Sequence, residues 1–470
     1  MRPALVRTVG RTVECAMRCK RSIALLLGAL PALAAPPTFT RDVAPILYKN
    51  CVTCHRPGEV APFSLLTYSD AKRWAPMIAQ VTGKRIMPPW KAEPGFGEFA
   101  GERVLSNTEI TTLREWAKAG APEGNSKDRP EPPRFPEGWQ LGAPDLVIEM
   151  PTAFAVPPDG PDIQQCFVVP LDLKEEMRVA SVEVRPGNRR VLHHTVIFTD
   201  PMHQGRARAA ADPSGNSYPC YGGPGVATTG LIAGWAPGAP TRRLPEGIAV
   251  VTPKGSDLVV QNHYHPNGKP ESDQTTIGIY FQKGEVTKRV IGLPLLQPRL
   301  HIPAGESRYR AAMSFTSPID LEIAQVMPHM HLLGREMKVT ATLPSGEVQP
   351  LVWIRDWDFN WQLVYGYKRP MLLPAGTRFD LEAWYDNSTA NPRNPNSPPK
   401  DVGFGESTTD EMCVAMIVVY TAQPADQITL GRALVQQLGL RLRDLFPQRP
   451  APASGGSPAF GLRPAVNPEK

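Results

Sequence analysis

Val191-Leu192-His193-His194-Thr195-Val196-Ile197-Phe198 is dense in β-branched and aromatic side chains, the composition of a strand. Comparable runs lie at Leu146-Val147-Ile148, Cys166 to Val169, Val179 to Val184 and Leu258 to Tyr264, with Pro/Gly turns between them. A period of two punctuated in this way indicates antiparallel sandwiches. The run Thr276 to Phe281 ends one block, and Arg289 to Leu296 begins another that continues to about Tyr420. Two all-β units are therefore expected, residues 145–285 and 286–425, with a soft boundary near 285.

Upstream, residues 36–128 read as a small all-α domain. Thr40 can cap a helix carrying Ile46 and Leu47, and Ser69 can cap another that runs to about Val81. Ser106-Asn107-Thr108-Glu109 is a capping box opening a helix that ends at Gly120, with Ile110, Leu113, Trp116 and Ala117 on one face. Residues 129–144, rich in proline and charge, read as a linker. At the other end a helix is expected within 426–446, followed by a disordered tail, 447–470.

The chain has 470 residues with 51 Lys or Arg against 45 Asp or Glu, a formal charge of +6. That balance is too mild to argue for a nucleic-acid partner. Its 53 prolines and 20 % charged residues speak against a coiled coil or a helical repeat. Arg18, Lys20 and Arg21 precede an apolar run, Ser22 to Leu30, and then Ala32-Leu33-Ala34-Ala35, the pattern of a secretory signal over residues 1–34. The apolar part is short and Pro31 interrupts it, so a membrane role is expected only if the signal is retained. The expected location is periplasmic or secreted. Of seven cysteines, Cys51, Cys54, Cys166, Cys220 and Cys413 would then face an oxidising compartment.

Cys51-Val52-Thr53-Cys54-His55 places two thiols to form thioethers with haem vinyl groups and an imidazole to reach the iron. One covalent haem c is expected; a disulfide or half a zinc site is the bland alternative. A low-spin haem needs a second axial ligand. Met87, in Ile86-Met87-Pro88-Pro89-Trp90, fits because the prolines stiffen its loop, with Met77 as competitor. The segment resembles a class I cytochrome c domain.

Six of the nine histidines form three clusters: His193-His194, His263-Tyr264-His265 and His329-Met330-His331. Side chains two apart on a strand share a face, so His329 and His331 can hold one ion, as can His263 and His265 in principle. Adjacent His193 and His194 point oppositely on a regular strand and need a twist or bulge to share one. Imidazoles alone fit zinc, copper or nickel; a thioether tilts the choice to copper.

The ordered set of His193-His194-Thr195-Val196-Ile197-Phe198, Gly234-Trp235-Ala236-Pro237-Gly238 through Leu244-Pro245-Glu246-Gly247, Gln261-Asn262-His263-Tyr264, His329-Met330-His331-Leu332-Leu333-Gly334 and Asp410-Glu411-Met412-Cys413 resembles the copper type II ascorbate-dependent monooxygenases. These are the relatives of dopamine β-monooxygenase and peptidylglycine α-hydroxylating monooxygenase, and the likeness spans roughly residues 145–423. It implies two jelly-roll-like sandwich domains and two copper ions far apart across a solvent-filled cleft. One copper, on His193, His194 and His263, would transfer electrons. The other, on His329, His331 and Met412, would be the catalytic site that activates O2 to hydroxylate a C–H bond of a small organic substrate.

Set against the family pattern, Cys413 follows Met412, yet the strand Leu381 to Asp386 offers Trp384 and no cysteine. Cys166 and Cys220 are then expected to pair within the first β unit, leaving Cys413 free. Met327 and Pro328 stand where the peptidylglycine enzyme has an arginine, so a peptidyl-glycine substrate is not expected, and Met416 takes a family tyrosine's place. His265 is expected as a supporting or surface residue, and His203 and His301 as bland. The expected electron donor is ascorbate or a redox protein, and the fused cytochrome suggests the haem as a further route to copper. The rival reading is a non-catalytic copper-binding electron-transfer protein.

Overall fold

A computed structural model describes residues 35–439 apart from residues 151, 172, 222, 229 and 238–240. The expected signal, the tail and the end of the 426–446 helix lie outside the described residues, as does Gly238 of the quoted loop. An amino-terminal helical region is followed by antiparallel β-sheets.

The helical region enters through one wide turn, Phe39–Val43, and comprises α1 (Ala44–Asn50), α2 (Tyr68–Gly83) and α3 (Asn107–Lys118) around Phe39, Leu47, Leu113 and Trp116. The capping box at Ser106 and Glu109 opens α3 as the sequence indicates. Two other expected caps are displaced. Thr40 is buried inside the first turn, and Thr67, not Ser69, caps α2. The reason is local: Thr67 has Asp70 three residues on to return its hydrogen bond, whereas Ser69 has Lys72. Such a cap stabilises a helix by about 1 kcal/mol.

In the first β unit a five-stranded antiparallel sheet runs in the order Ser217–Pro219, Ile163–Val169, Asp257–Tyr264, Leu192–Asp200, Leu231–Trp235. Phe167, Ile197 and Val260 from this sheet share one apolar cluster with Ile148, Val179 and Ile277 from an opposing sheet. That opposing sheet has eight strands and continues into the second β unit: Leu146–Glu149, Thr276–Phe281, Met177–Arg185, Ile248–Thr252, Lys288–Leu296, Val414–Thr421, Leu321–His329, Tyr365–Leu373. Among the described residues its one parallel junction joins Ile248–Thr252 to Lys288–Leu296 through Lys288↔Ile248 and Arg289↔Ala249. The boundary near 285 therefore separates two cores but not two sheets. Over the far half packs a four-stranded sheet, Tyr309–Thr316, Arg378–Tyr385, Gly334–Thr342, Val348–Ile354, with Phe315, Val339 and Leu381 facing Leu293, Val326 and Ile417.

The helical region is tied to both β units. After the Met87 loop the chain lies along the second unit: Glu93 N–H bonds to Trp353 O at 2.8 Å, Ala100 N–H to Gly366 O at 2.8 Å, and Lys368 N–H to Glu98 O at 2.9 Å. Phe99 is buried in that unit's core and Trp90 meets Tyr365 edge-on. The Pro-rich stretch 129–144 is also docked rather than free. Phe135 lies under the Arg56 guanidinium, Trp139 covers Gly278, where a Cβ would stand 2.7 Å from its ring, and Tyr280 Oη donates to Gly142 O. Among the described residues no helix is long and apolar enough to cross a membrane.

Candidate metal centres

The His193-His194 pair lies on the Leu192–Asp200 strand, and the register against Asp257–Tyr264 slips between Leu192 and His194. Leu192 faces Tyr264 and His194 faces His263, so His193 is the extra residue of a bulge. This is the distortion that two adjacent side chains need to share one face. The three Nδ1 atoms converge: His193 to His194 at 3.2 Å and His194 to His263 at 3.3 Å, and the three residues form a group whose ligand atoms fall within 4.8 Å. Burial, with His263 beside it, lowers the His193 pKa to about 4, and burial drives that of His194 down as well. Neutral imidazoles are the form that binds metal.

Asp162 stands behind this cluster. Its Oδ2 is 3.0 Å from His263 Nε2, close but poorly aligned for a hydrogen bond, and its Oδ1 is 2.6 Å from His265 Nδ1. Thr408 Oγ1, from the loop leading to Met412, donates to Oδ2 at 2.7 Å. Burial would raise the Asp162 pKa, but the contacts of His263, Thr408 and His265 outweigh it and hold the carboxyl well below its usual range. A carboxylate behind a ligating histidine fixes ring orientation and raises basicity. His263 and His265 thus divide: one enters the cluster, the other supports it through Asp162.

The second pair ends the Leu321–His329 strand. The His329 and His331 rings lie 5.1 Å apart at 84°, with Met330 buried between them in sequence. Gln362 Oε1 accepts from His329 Nδ1 at 2.7 Å, and Asp410 O accepts from His331 Nδ1 at 3.2 Å. Since both acceptors are oxygens of carbonyl type, Nδ1 carries the proton and Nε2 is left to ligate. Burial lowers the His329 pKa to about 3, helped by His331, and that of His331 to about 4. The antiparallel register runs Met327↔Met416, Pro328↔Ala415 and ends at His329↔Val414, two residues short of His331 on one strand and two past Met412 on the other. Fully buried Glu411 locks the two segments by accepting from the N–H groups of His331, Leu333 (2.9 Å) and Met412 (2.9 Å). Gly334 is required here: a Cβ would stand 2.8 Å from Met330 and 2.9 Å from Trp357.

The Phe359 ring stacks on His193 with centroids 6.0 Å apart and meets His331 edge-on at 5.8 Å, so one phenyl ring spans the space between them.

In the amino-terminal region Cys51 is the cap of α1, and the His55 N–H returns to Cys51 O at 3.0 Å, which closes the Cys-x-x-Cys-His turn. Both thiols are free. The His55 ring is oriented by Phe63 O, 3.2 Å from Nδ1, which leaves Nε2 to ligate. Met87 is half-buried in the loop after α2, whereas Met77 is 45 % exposed on α2 itself. Four residues beyond His55, Glu59 pairs at 3.0 Å with Arg189, four residues before His193.

Cys166 and Cys220 form a disulfide, and Cys413 is a buried free thiol whose pKa is pushed up to about 12 by burial. Tyr385 Oη donates to Met412 O at 2.8 Å and so braces the backbone next to Cys413. His203 contacts Asp257, and His301 is exposed near Asp401. Sequence reasoning missed Asp162, Phe359, Gln362 and the role of Glu411. A lone carboxylate or aromatic carries no spacing signal, though Glu411 stood inside a quoted motif.

No family model matches the chain. Among solved structures, peptide: N-glycanase F overlaps 59 % of this chain and 96 % of its own at 12 % identity and a TM-score of 0.26. The infectious bursal disease virus VP2 subviral particle overlaps 62 % and 77 % at 7 % identity and a TM-score of 0.16. A tandem CBM22 domain of Paenibacillus barcinonensis Xyn10C overlaps 56 % and 79 % at 9 % identity and a TM-score of 0.13. Likenesses this slight carry no argument about function.

Proposed function

We propose that the protein is an exported haem c and copper monooxygenase that hydroxylates a C–H bond of a small organic molecule, as its resemblance to the copper type II ascorbate-dependent monooxygenases implies. The observation that carries this reading is the convergence of His193, His194 and His263 on one point, with a second histidine pair one phenyl ring away. The donor sets fit the groups. Three converging imidazoles suit copper, as would His329 and His331 with the Met412 thioether that the resemblance adds to them, while two free thiols next to a histidine oriented by a carbonyl suit a covalent haem. The Cys166–Cys220 disulfide accords with export.

Bound copper would supply one-electron chemistry and O2 activation. The chain supplies the rest. Gln362 and Asp410 O fix which nitrogen of His329 and His331 is bare, Asp162 sets a negative charge beside His263, and Glu411 ties the Met412 backbone to that of His331. The Glu59–Arg189 pair ties the haem-attachment turn to the strand of His193 and His194, which supports electron entry from haem to the three-histidine cluster. O2 uptake matched by hydroxylated product, lost in Met412→Ala while the haem spectrum persists, is the expected result. Hydroxylation that survives Met412→Ala contradicts the assignment of that site, and copper binding without O2 uptake on any C–H substrate supports the non-catalytic rival.

A further inference from the structure

The segment 357–362 reaches both clusters. Trp357 Nε1 donates to His331 O at 3.1 Å, Gln362 holds His329, and Phe359 between them lies against His193 and His331. Trp357 is 2 % exposed and anchors the segment, whereas Phe359 is half-buried and followed by exposed Asn360. The ring can therefore turn outward without emptying a core.

We propose that Phe359 is a gate between the two metal clusters, and that the substrate it admits is an apolar molecule of about one ring's width. The inference rests on the reading above that both clusters bind copper. A substrate that presents a C–H bond to the His329/His331 cluster from the side facing the other cluster must enter the space this ring fills. Its walls are the face of the His193 ring and the His331 ring set nearly perpendicular to Phe359, aromatic surfaces that pair with an aromatic or apolar group. An incoming apolar molecule of that width recovers the ring contacts that Phe359 gives up.

The test uses the full-length, copper-loaded, reduced protein with carbon monoxide as probe, following the copper–CO stretch in the infrared, which is resolved from haem–CO. If the open state is populated at about one part in ten or less, Phe359→Ala speeds CO entry by about tenfold or more. Phe359→Leu falls between and Phe359→Trp slows entry. Benzene-saturated buffer, by refilling the vacated space, returns Phe359→Ala toward the wild-type rate, an effect that a merely structural role would not produce. Equal rates in wild type and Phe359→Ala with copper content unchanged overturn the gate alone, as does an Ala variant that benzene leaves unaffected. A wild-type protein that takes up no copper overturns the underlying reading and the gate with it.

Discussion

His263 Nε2 lies 3.0 Å from Asp162 Oδ2, on the opposite edge of the ring from the Nδ1 that faces His194. The same carboxylate is held by Thr408 of the second β unit, so the charge beside this histidine is positioned from both units. Asp162→Asn keeps the shape and removes the charge. It is expected to weaken copper binding at the three-histidine cluster by roughly 10- to 100-fold. Competition with a chelator measures this, with the second cluster as internal control; equal affinity at the first cluster in both proteins contradicts the role.

Glu411 supplies acceptors to three backbone N–H groups inside the protein. Glu411→Ala leaves all three without a partner and is expected to destabilise the fold by roughly 3 kcal/mol or more. Glu411→Gln keeps one carbonyl oxygen and should cost less. Denaturant midpoints decide it, and an alanine variant as stable as wild type would refute the bracing role.

Much of this arrangement was legible in the chain, and the illegible part has a common cause. The histidine pair announced its own bulge, because two neighbours on a strand cannot otherwise meet, and the register slip at His193 is that distortion. The capping box at Ser106 was readable because its partners are three residues apart. The contacts of Asp162, Phe359 and Gln362 span large sequence separations and leave no periodic mark. The continuous eight-stranded sheet was hidden for a related reason: its parallel junction rests on two residue pairs. The docking of Trp90 to Ala100 was hidden too, since a stretch broken by Pro94, Gly95 and Gly97 shows no strand pattern even where it hydrogen-bonds to a strand.

Asp257 is fully buried and accepts from Arg206 at 2.6 and 2.7 Å and contacts His203 at 2.9 Å. Burial would raise its pKa, but Arg206 and His203 outweigh that and lower it. A carboxylate with a depressed folded pKa stabilises the fold above its unfolded value of about 4, and that stability is lost as pH falls through the lower folded value. The melting temperature of wild type should therefore fall on acidification more steeply than that of Asp257→Asn. Parallel pH profiles would show that the pair does not carry acid sensitivity.

Arg189 joins the haem-attachment turn to the strand of His193 through Glu59. If electrons pass along this face, ferrous haem is oxidised faster when the protein carries Cu(II), and Arg189→Ala slows that step without altering the haem spectrum. Rapid-mixing spectroscopy reads both. Oxidation at the same rate with and without copper ends the relay.

Metal analysis of the purified mature protein bears most directly on the whole account. Two coppers for each haem iron, falling to one in His194→Ala and to one in His329→Ala, is the expected result. Zinc in these positions, or no metal in either cluster after copper loading, would contradict it.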